Sequence, residues 1–220
     1  SNPDATVEVS WIVEWYDPAK AREAAEALIA NGVDVLAFTE DTATVVQVAE
    51  EYTAKGQTVY SFGHYNPMAQ FGPNSMLSGQ LVDWGVLYED ILTKIYLGVY
   101  TTQNLDSVDY WALLSGGINI GAPPAVALGG EFGVPINPIF EDDLKAVTLN
   151  DPILGNISVY DLIFARIGQM KDSAVLFDPF SGPINNQNGA LTIQPGQRLT
   201  VFELNTIDWF VEGVIGSANP

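Results

Sequence analysis

Apolar positions along the first seventy residues alternate between two periods, a spacing of two in short β-branched runs and a spacing of three to four between them. Val7 to Val13 reads as a strand. Beyond it Ala21, Ala24, Ala25, Leu28 and Ile29 recur at helical spacing, and Lys20, Arg22, Glu23 and Glu26 point elsewhere. Asp17 suits the N-cap because its carboxylate can accept from the free N–H groups of the first turn; Pro18 at the first helical position loses nothing by lacking a donor. Gly32 closes the helix, whose single apolar face is expected to lie on a sheet. Val33 to Phe38 is a second strand. Asp41 or Thr42 can cap a second helix carrying Val45, Val48, Ala49 and Tyr52 and ending at Lys55-Gly56, and Thr58 to Phe62 is a third strand. This order, with short joints, predicts an α/β fold with right-handed crossovers and a parallel sheet.

Farther along, Gly63 to Pro73 reads as a loop and Ser75 to Ser78 as a short strand or crossing segment. Asp83 is expected to begin a third helix, with Leu87, Ile91 and Ile95 in one row, Tyr88, Leu92 and Tyr96 in the next, and Gly98 as its stop. Tyr110 to Leu114 and Ile118 to Ile120 read as strands around Ser115-Gly116-Gly117, and the tract from Gly121 to Pro138 has little pattern. A fourth helix capped by Asn156 or Ser158 follows, with Val159, Leu162, Ile163 and Ile167 on one face. From Phe177 onward the character changes. Asn188-Gly189 between apolar runs is the strongest short hairpin signal, Pro195-Gly196 makes a turn, and Thr200-Val201-Phe202-Glu203 is a capping box opening a short helix.

In an open parallel sheet, ligands bind in the crevice beyond the carboxyl ends of the strands. Asp17, Glu40, Asp41 and His64-Tyr65-Asn66 all fall there, so one cleft is expected to gather them. Trp15, Tyr16, Phe38, Tyr65 and Trp84 lie at the same ends, where a planar face could stack on a flat ligand, worth ~1–3 kcal/mol per base. Trp15 and Trp84 are preferred because each adjoins an Asp at a predicted helix start. His64, the sole histidine, either bonds a ligand or is a loop residue satisfied by backbone. Glu40-Asp41 could be paired acid/base carboxylates or cation ligands, but adjacent side chains on an extended segment point apart, which favours binding or capping. A Ser-His-Asp triad lacks the Gly-x-Ser-x-Gly elbow that would present its nucleophile. No phosphate-cradling glycine loop follows a strand.

Composition narrows these choices. Eight Lys+Arg against 27 Asp+Glu leave a formal charge of −19, which repels nucleic-acid phosphates and anionic membranes. Nucleic acid is therefore not an expected partner. Because only 16% of residues are charged, the balance reflects a shortage of basic side chains and reads as a solvated acidic surface. The absence of Cys removes disulfides, thiolate metal ligands and a Cys nucleophile, and neither a metal nor another cofactor is expected. No apolar run approaches the ~20 residues of a membrane helix, and Ser1-Asn2-Pro3 has neither the basic start nor the apolar core of a signal peptide.

Several stretches, taken in order, resemble one family. They are Trp15-Tyr16-Asp17-Pro18 with Ala24-Ala25 and Leu28, Gly32-Val33-Asp34-Val35, Thr39-Glu40-Asp41-Thr42, Gly63 followed by Asn66, Asp83-Trp84-Gly85 with Tyr88, and Tyr110-Trp111. Phe180-Ser181-Gly182-Pro183-Ile184 with Gly189 and the terminal Trp209-Phe210-Val211-Glu212-Gly213-Val214 complete the set. The chain is similar to the basic membrane protein (Bmp, PnrA-like) substrate-binding lipoproteins of ABC transporters, most of all to the subgroup that takes up adenine-type nucleobases.

The resemblance implies a type I periplasmic-binding-protein-like α/β fold with parallel sheets flanked by helices and two lobes, the first incomplete here. Residues 1–78 would be second-lobe βα units, 79–122 a crossing segment returning to the first lobe, and 123–220 the remaining interlobe and C-terminal hairpin and helix segments. It implies a non-enzymatic, extracytoplasmic protein, membrane-anchored through a lipidated N-terminus outside this chain. Such a protein binds a purine nucleobase or nucleoside between its lobes and delivers it to ABC permease subunits. Trp15 and Trp84 would stack; Asp17, Glu40, Asp41, His64 and Asn66 would make polar contacts. Near Gly63 the subgroup carries an Asp where Tyr65-Asn66 stand here. A missing N-terminal segment of the same protein is an expected partner. The alternatives are a small α/β hydrolase or nucleoside-processing enzyme using Asp41 and His64, and a stand-alone ligand-sensing domain.

Overall fold

The structure is a computed structural model and describes residues 4–82, 84–102, 104, 126–128, 136–171 and 180–220. Asp83, the strands expected around Ser115-Gly116-Gly117, most of the tract after Gly121, and Phe177 lie outside the described residues. The chain divides into two compact units, Trp15–Ile139 in one and Ser1–Glu14 with Phe140–Pro220 in the other.

The unit from Trp15 to Ile139 is built on a four-stranded sheet ordered β2(Val35–Leu36), β3(Tyr60–Tyr65), β4(Met76–Val82) and β5(Val126–Leu128). β2, β3 and β4 run parallel and β5 closes the edge antiparallel. Helix α1(Pro18–Ala30) starts as its sequence directs: Asp17 accepts from the Lys20 amide at 3.0 Å, Pro18 is at the first position, and Gly32 follows with φ +98°. Ala21, Ala25 and Ile29 are its buried side.

The principal neighbour of α1 is not the sheet but helix α2(Thr44–Ala54). Arg22 joins the two, donating to both carboxylate oxygens of Glu51 at 2.9 and 2.7 Å. An alanine-rich face is flat enough to lie against another helix, and helical periodicity carries no record of which partner it meets. α2 packs on β3 instead, and Val46, Met68, Ala69 and Met76 form a buried cluster beneath it, covered by Phe38 and Ala43.

β3 extends three residues beyond the expected Phe62, so Gly63, His64 and Tyr65 are strand rather than loop. Glycine there reflects packing: a Cβ on Gly79 of β4 would sit 2.9 Å from the Gly63 carbonyl oxygen. The two glycines pair in register and let the strand backbones meet closely. β4 likewise outruns the expected Ser78, to Val82. Helix α3(Trp84–Tyr96) follows, with Gly98 at φ +73° beyond its end.

In the other unit, β1 is only Val7–Glu8, and it pairs in parallel with β10(Val214–Ile215) rather than heading the larger sheet. Val7 donates to the Gly213 carbonyl and Val9 to that of Ile215, at 3.0 and 2.9 Å. The terminal Trp-Phe-Val-Glu-Gly-Val motif thus supplies the partner of the first strand across nearly the whole sequence. Trp11 Nε1 reinforces the join, donating to the Ser217 carbonyl at 2.7 Å. The extended run expected to Val13 stops early, and Val13 has φ +57°.

Helix α4(Glu141–Ala146) was not expected; its Glu141–Lys145 pair at i, i+4 is the sequence signal for it. It packs on α5(Val159–Lys171), where Ser158, not Asn156, caps by accepting from the Asp161 amide at 3.0 Å. Asn156 lies in the hairpin β6(Thr148–Asp151)–β7(Gly155–Ser158). β8(Ile184–Asn185) and β9(Leu191–Ile193) form the hairpin signalled by Asn188-Gly189, with Gly189 at φ +79°. Both bonds of the capping box are made at Thr200, and helix α6(Val201–Asn205) is one turn long.

Candidate functional site

Within the unit from Trp15 to Ile139, the carboxyl ends of β2 and β3 deliver polar and aromatic side chains to neighbouring positions. The loop after β2 is held by its backbone to the segment that leads into α1: the Asp41 amide donates to the Trp15 carbonyl at 2.7 Å. Trp15 leaves that join with its indole 75% exposed, free to meet a ligand face.

Glu40 is buried, and its carboxylate serves the loop itself. It accepts from the Thr42 amide at 3.1 Å and from the Thr42 hydroxyl, and Thr42 Oγ1 in turn accepts from the Thr44 amide at 3.2 Å. A hydroxyl relay from a buried carboxylate therefore starts α2. Asp41 does not cap it; the N-cap is Ala43, which makes no side-chain bond. Asp41 instead lines an open depression of about 540 Å³, with Asn66, Met68, Gln70 and Phe71 on its other sides.

His64 is 5% exposed, inside β3 and paired with Gln80 of β4. Burial holds its imidazole below the ordinary histidine value, opposed by the negative charge of Asp41. Consecutive strand residues ordinarily face opposite sides, yet the rings of His64 and Tyr65 stack with centroids 3.7 Å apart and 24° between planes. The cause is the backbone of Tyr65, whose φ of +60° ends the alternation and swings its ring alongside His64. An aromatic residue in this region costs about 1–3 kcal/mol, a strain that concentrates at ligand sites. Asn66 then turns sharply, its amide donating to the His64 carbonyl at 2.7 Å.

From Tyr65 the aromatic row continues. Trp84, at the start of α3, meets Tyr65 edge-on at 5.9 Å and 89°, and Tyr88 one turn later lies near-parallel to Trp84 at 6.5 Å. Phe38 approaches His64 from the β2 side at 6.1 Å. Five rings thus run from β2 past β3 to α3, and only the fold could order them. Of the seven residues singled out from the sequence, Trp15 and Asp41 are joined through their backbones, Asp41 and Asn66 share the depression, and His64 and Trp84 flank Tyr65. Asp17 has its carboxylate committed to the Lys20 amide, and Glu40 turns inward. Tyr65 and Tyr88 belong to the arrangement as much as Trp84; the i, i+4 spacing of Trp84 and Tyr88 was the available sign for one, and nothing in the sequence announces the positive φ of the other.

Residues 1–128 match the family described as ABC transporter substrate-binding protein, PnrA-like (Bmp). The chain belongs to this Bmp family. A purine-binding protein of Brucella abortus is 26% identical over 213 residues, covering 97% of this chain and 49% of the relative. A protein of Haloferax volcanii, named as a candidate ABC transporter glucose-binding protein, is 32% identical over 155 residues, 69% of this chain and 35% of that one. The chain therefore spans half or less of the length of these relatives. Its mixed α/β architecture, with parallel strands flanked by helices, is that of a periplasmic-binding-protein-like fold. Among the described residues no helix is long and apolar enough to cross a membrane.

Proposed function

We propose that this Bmp chain contributes the ligand-reading part of an extracytoplasmic substrate-binding protein that holds a purine nucleobase or nucleoside and passes it to ABC permease subunits. The observation that carries the reading is the aromatic row at the strand ends, because a flat, uncharged heterocycle is the ligand class that such faces bind. Trp15 and Trp84 stack on the ring. Asp41, His64 and Asn66 supply acceptors and donors for its edge, Asp17 adds a carboxylate at the start of α1, and Glu40 contributes by fixing the loop that presents Asp41. The purine-binding name of the Brucella relative supports the same ligand class. Eight basic residues against 27 acidic ones, and the lack of a phosphate loop, argue that the ligand arrives without phosphate. Binding and release leave the ligand unchanged, and lipid anchoring places the protein at the membrane surface.

The Haloferax relative supports a second reading, a sugar ligand, since aromatic faces and carboxylates also suit a pyranose. Calorimetry on the full-length protein with adenine, adenosine, adenosine monophosphate and glucose separates the readings. Adenine or adenosine should bind, the monophosphate no more tightly, and Trp84→Ala should weaken binding by about 1–3 kcal/mol. Saturable binding of glucose with none of the purines would replace the purine reading by the sugar one. A monophosphate that bound more tightly than the nucleoside would refute the phosphate-free site.

A further inference from the structure

Asn156-Ile157-Ser158 is the one Asn-x-Ser/Thr triplet in the chain, with no proline in the middle position or directly after it. Such triplets are the acceptors of N-linked sugars on proteins that leave the cytoplasm. With Gly155 the triplet forms strand β7, which is extended and pairs with β6; among the described residues no strand occupies its other edge. Side chains alternate across the hairpin. Asn156 and the directly opposed Asn150 are exposed, whereas Leu149 and Ile157, the next pair, are half-buried. Among the described residues nothing bonds to the Asn156 carboxamide. The turn beside it is pinned and apolar at its tip: Asp151 accepts from the Ile153 and Leu154 amides, both at 2.9 Å, while Ile153 is 74% exposed and Leu154 40%. A bulky, hydrated sugar chain on Asn156, two residues beyond Leu154, would screen these side chains from other molecules.

We propose that Asn156 is an N-glycosylation site whose carboxamide nitrogen receives an oligosaccharide outside the cytoplasmic membrane; this rests on the extracytoplasmic placement put forward above. The donor class is an oligosaccharide joined through its anomeric carbon to a lipid phosphate. Asn156 Nδ2 gives up one proton and bonds to that carbon; the bond from the carbon to the phosphate oxygen breaks, and the lipid phosphate leaves with the electron pair. Nothing is oxidised or reduced. Ser158 Oγ donates to Asp161 Oδ2 at 2.7 Å and accepts from the Asp161 amide at 3.0 Å. The hydroxyl that defines the triplet is therefore occupied once α5 has formed, so transfer precedes the closing of that cap. The folded hairpin then accommodates the product, because Asn156 faces water.

The test uses full-length protein from the cell that makes it, recovered outside the cytoplasmic membrane and cut with trypsin. Cleavage after Lys145 and Arg166 releases residues 146–166, which contain the whole triplet. In mass spectrometry this peptide should be heavier than its sequence by a whole number of sugar residues, and fragmentation should place them on Asn156. Asn156→Gln keeps an exposed carboxamide and should lose the added mass entirely, whereas Ser158→Thr retains the hydroxyl and should keep it. A peptide of bare mass would overturn the proposal. So would added mass that survives Asn156→Gln, which would put the sugar on a hydroxyl of Thr148, Ser158 or Tyr160 instead. Recovery of the protein from the cytosol alone would overturn the extracytoplasmic placement and this proposal together. A bare peptide from protein recovered outside the membrane leaves both the placement and the purine reading standing.

Discussion

Replacing Asp17 by Ala isolates the structural duty of a residue that also stands at the proposed ligand cleft. Its carboxylate accepts from the Lys20 amide at 3.0 Å, satisfying one of the four donors that the first turn of α1 leaves unpaired. Loss of an Asp cap costs about 0.5–2 kcal/mol and typically ~1. The second contribution is small: Lys20 Nζ is 3.8 Å away with both side chains solvent-accessible, a contact worth only a few tenths. Asp17→Asn keeps an acceptor at the same place and forfeits mainly the charge at the positive end of the helix, ~0.3–1 kcal/mol. The expected order of stability is therefore wild type, Asn, Ala. With a urea dependence of ~2–3 kcal/mol per molar, the Ala variant should lose about 0.3–0.5 M in midpoint, or about 2–4 °C in Tm. Ligand-free protein unfolded in urea and followed by far-UV circular dichroism gives the measurement. An unchanged midpoint for Asp17→Ala would show that water replaces the cap at no cost. A loss for Asp17→Asn as large as that for Ala would mean that charge, rather than the hydrogen bond, had been the source.

Two further outcomes follow from the site. Burial depresses the titration of His64 below the ordinary 6.5, so as pH falls through that value the unfolded chain takes up the proton before the folded one does; stability should decline from about pH 7 downward until the folded value is passed. His64→Gln should flatten this decline in urea midpoints taken at pH 7.5, 6.5 and 5.5, and Asp41→Asn, which removes the opposing charge, should steepen it; a slope persisting in His64→Gln would assign it to other groups. Gly79→Ala places a Cβ 2.9 Å from the Gly63 carbonyl and 3.0 Å from its Cα, backbone atoms that no rotamer change can move, so β3 and β4 must part at a cost of about 1–3 kcal/mol. A wild-type Tm for Gly79→Ala would show that the strand pair is looser than its geometry.

Local chemistry was legible wherever a feature is decided within four or five residues. Asp17-Pro18 starts a helix, Gly32, Gly56 and Gly98 lie at left-handed positions just past helix ends, Asn188-Gly189 turns a hairpin and Thr200 with Glu203 closes a capping box, because each rests on bonds between near neighbours. Family membership was legible for a related reason: an ordered series of such short signals is specific even when each alone is weak.

What the sequence left open were the choices made between distant segments. Val7–Glu8 has the same β-branched character whether it pairs with a neighbouring strand or with Val214–Ile215, and only the ladder distinguishes them. The alanine face of α1 fits a sheet or a helix equally, and Arg22 with Glu51 decides for the helix. Strand β3 runs on to Tyr65 because Gly63 meets Gly79 of β4, a match between residues that read singly as loop formers. The aromatic row depends on that extension and on the positive φ of Tyr65, which reverses the side a period-two reading assigns to its ring. Periodicity records which residues seek burial; it does not record which surface buries them, since the hydrophobic effect has no direction of its own.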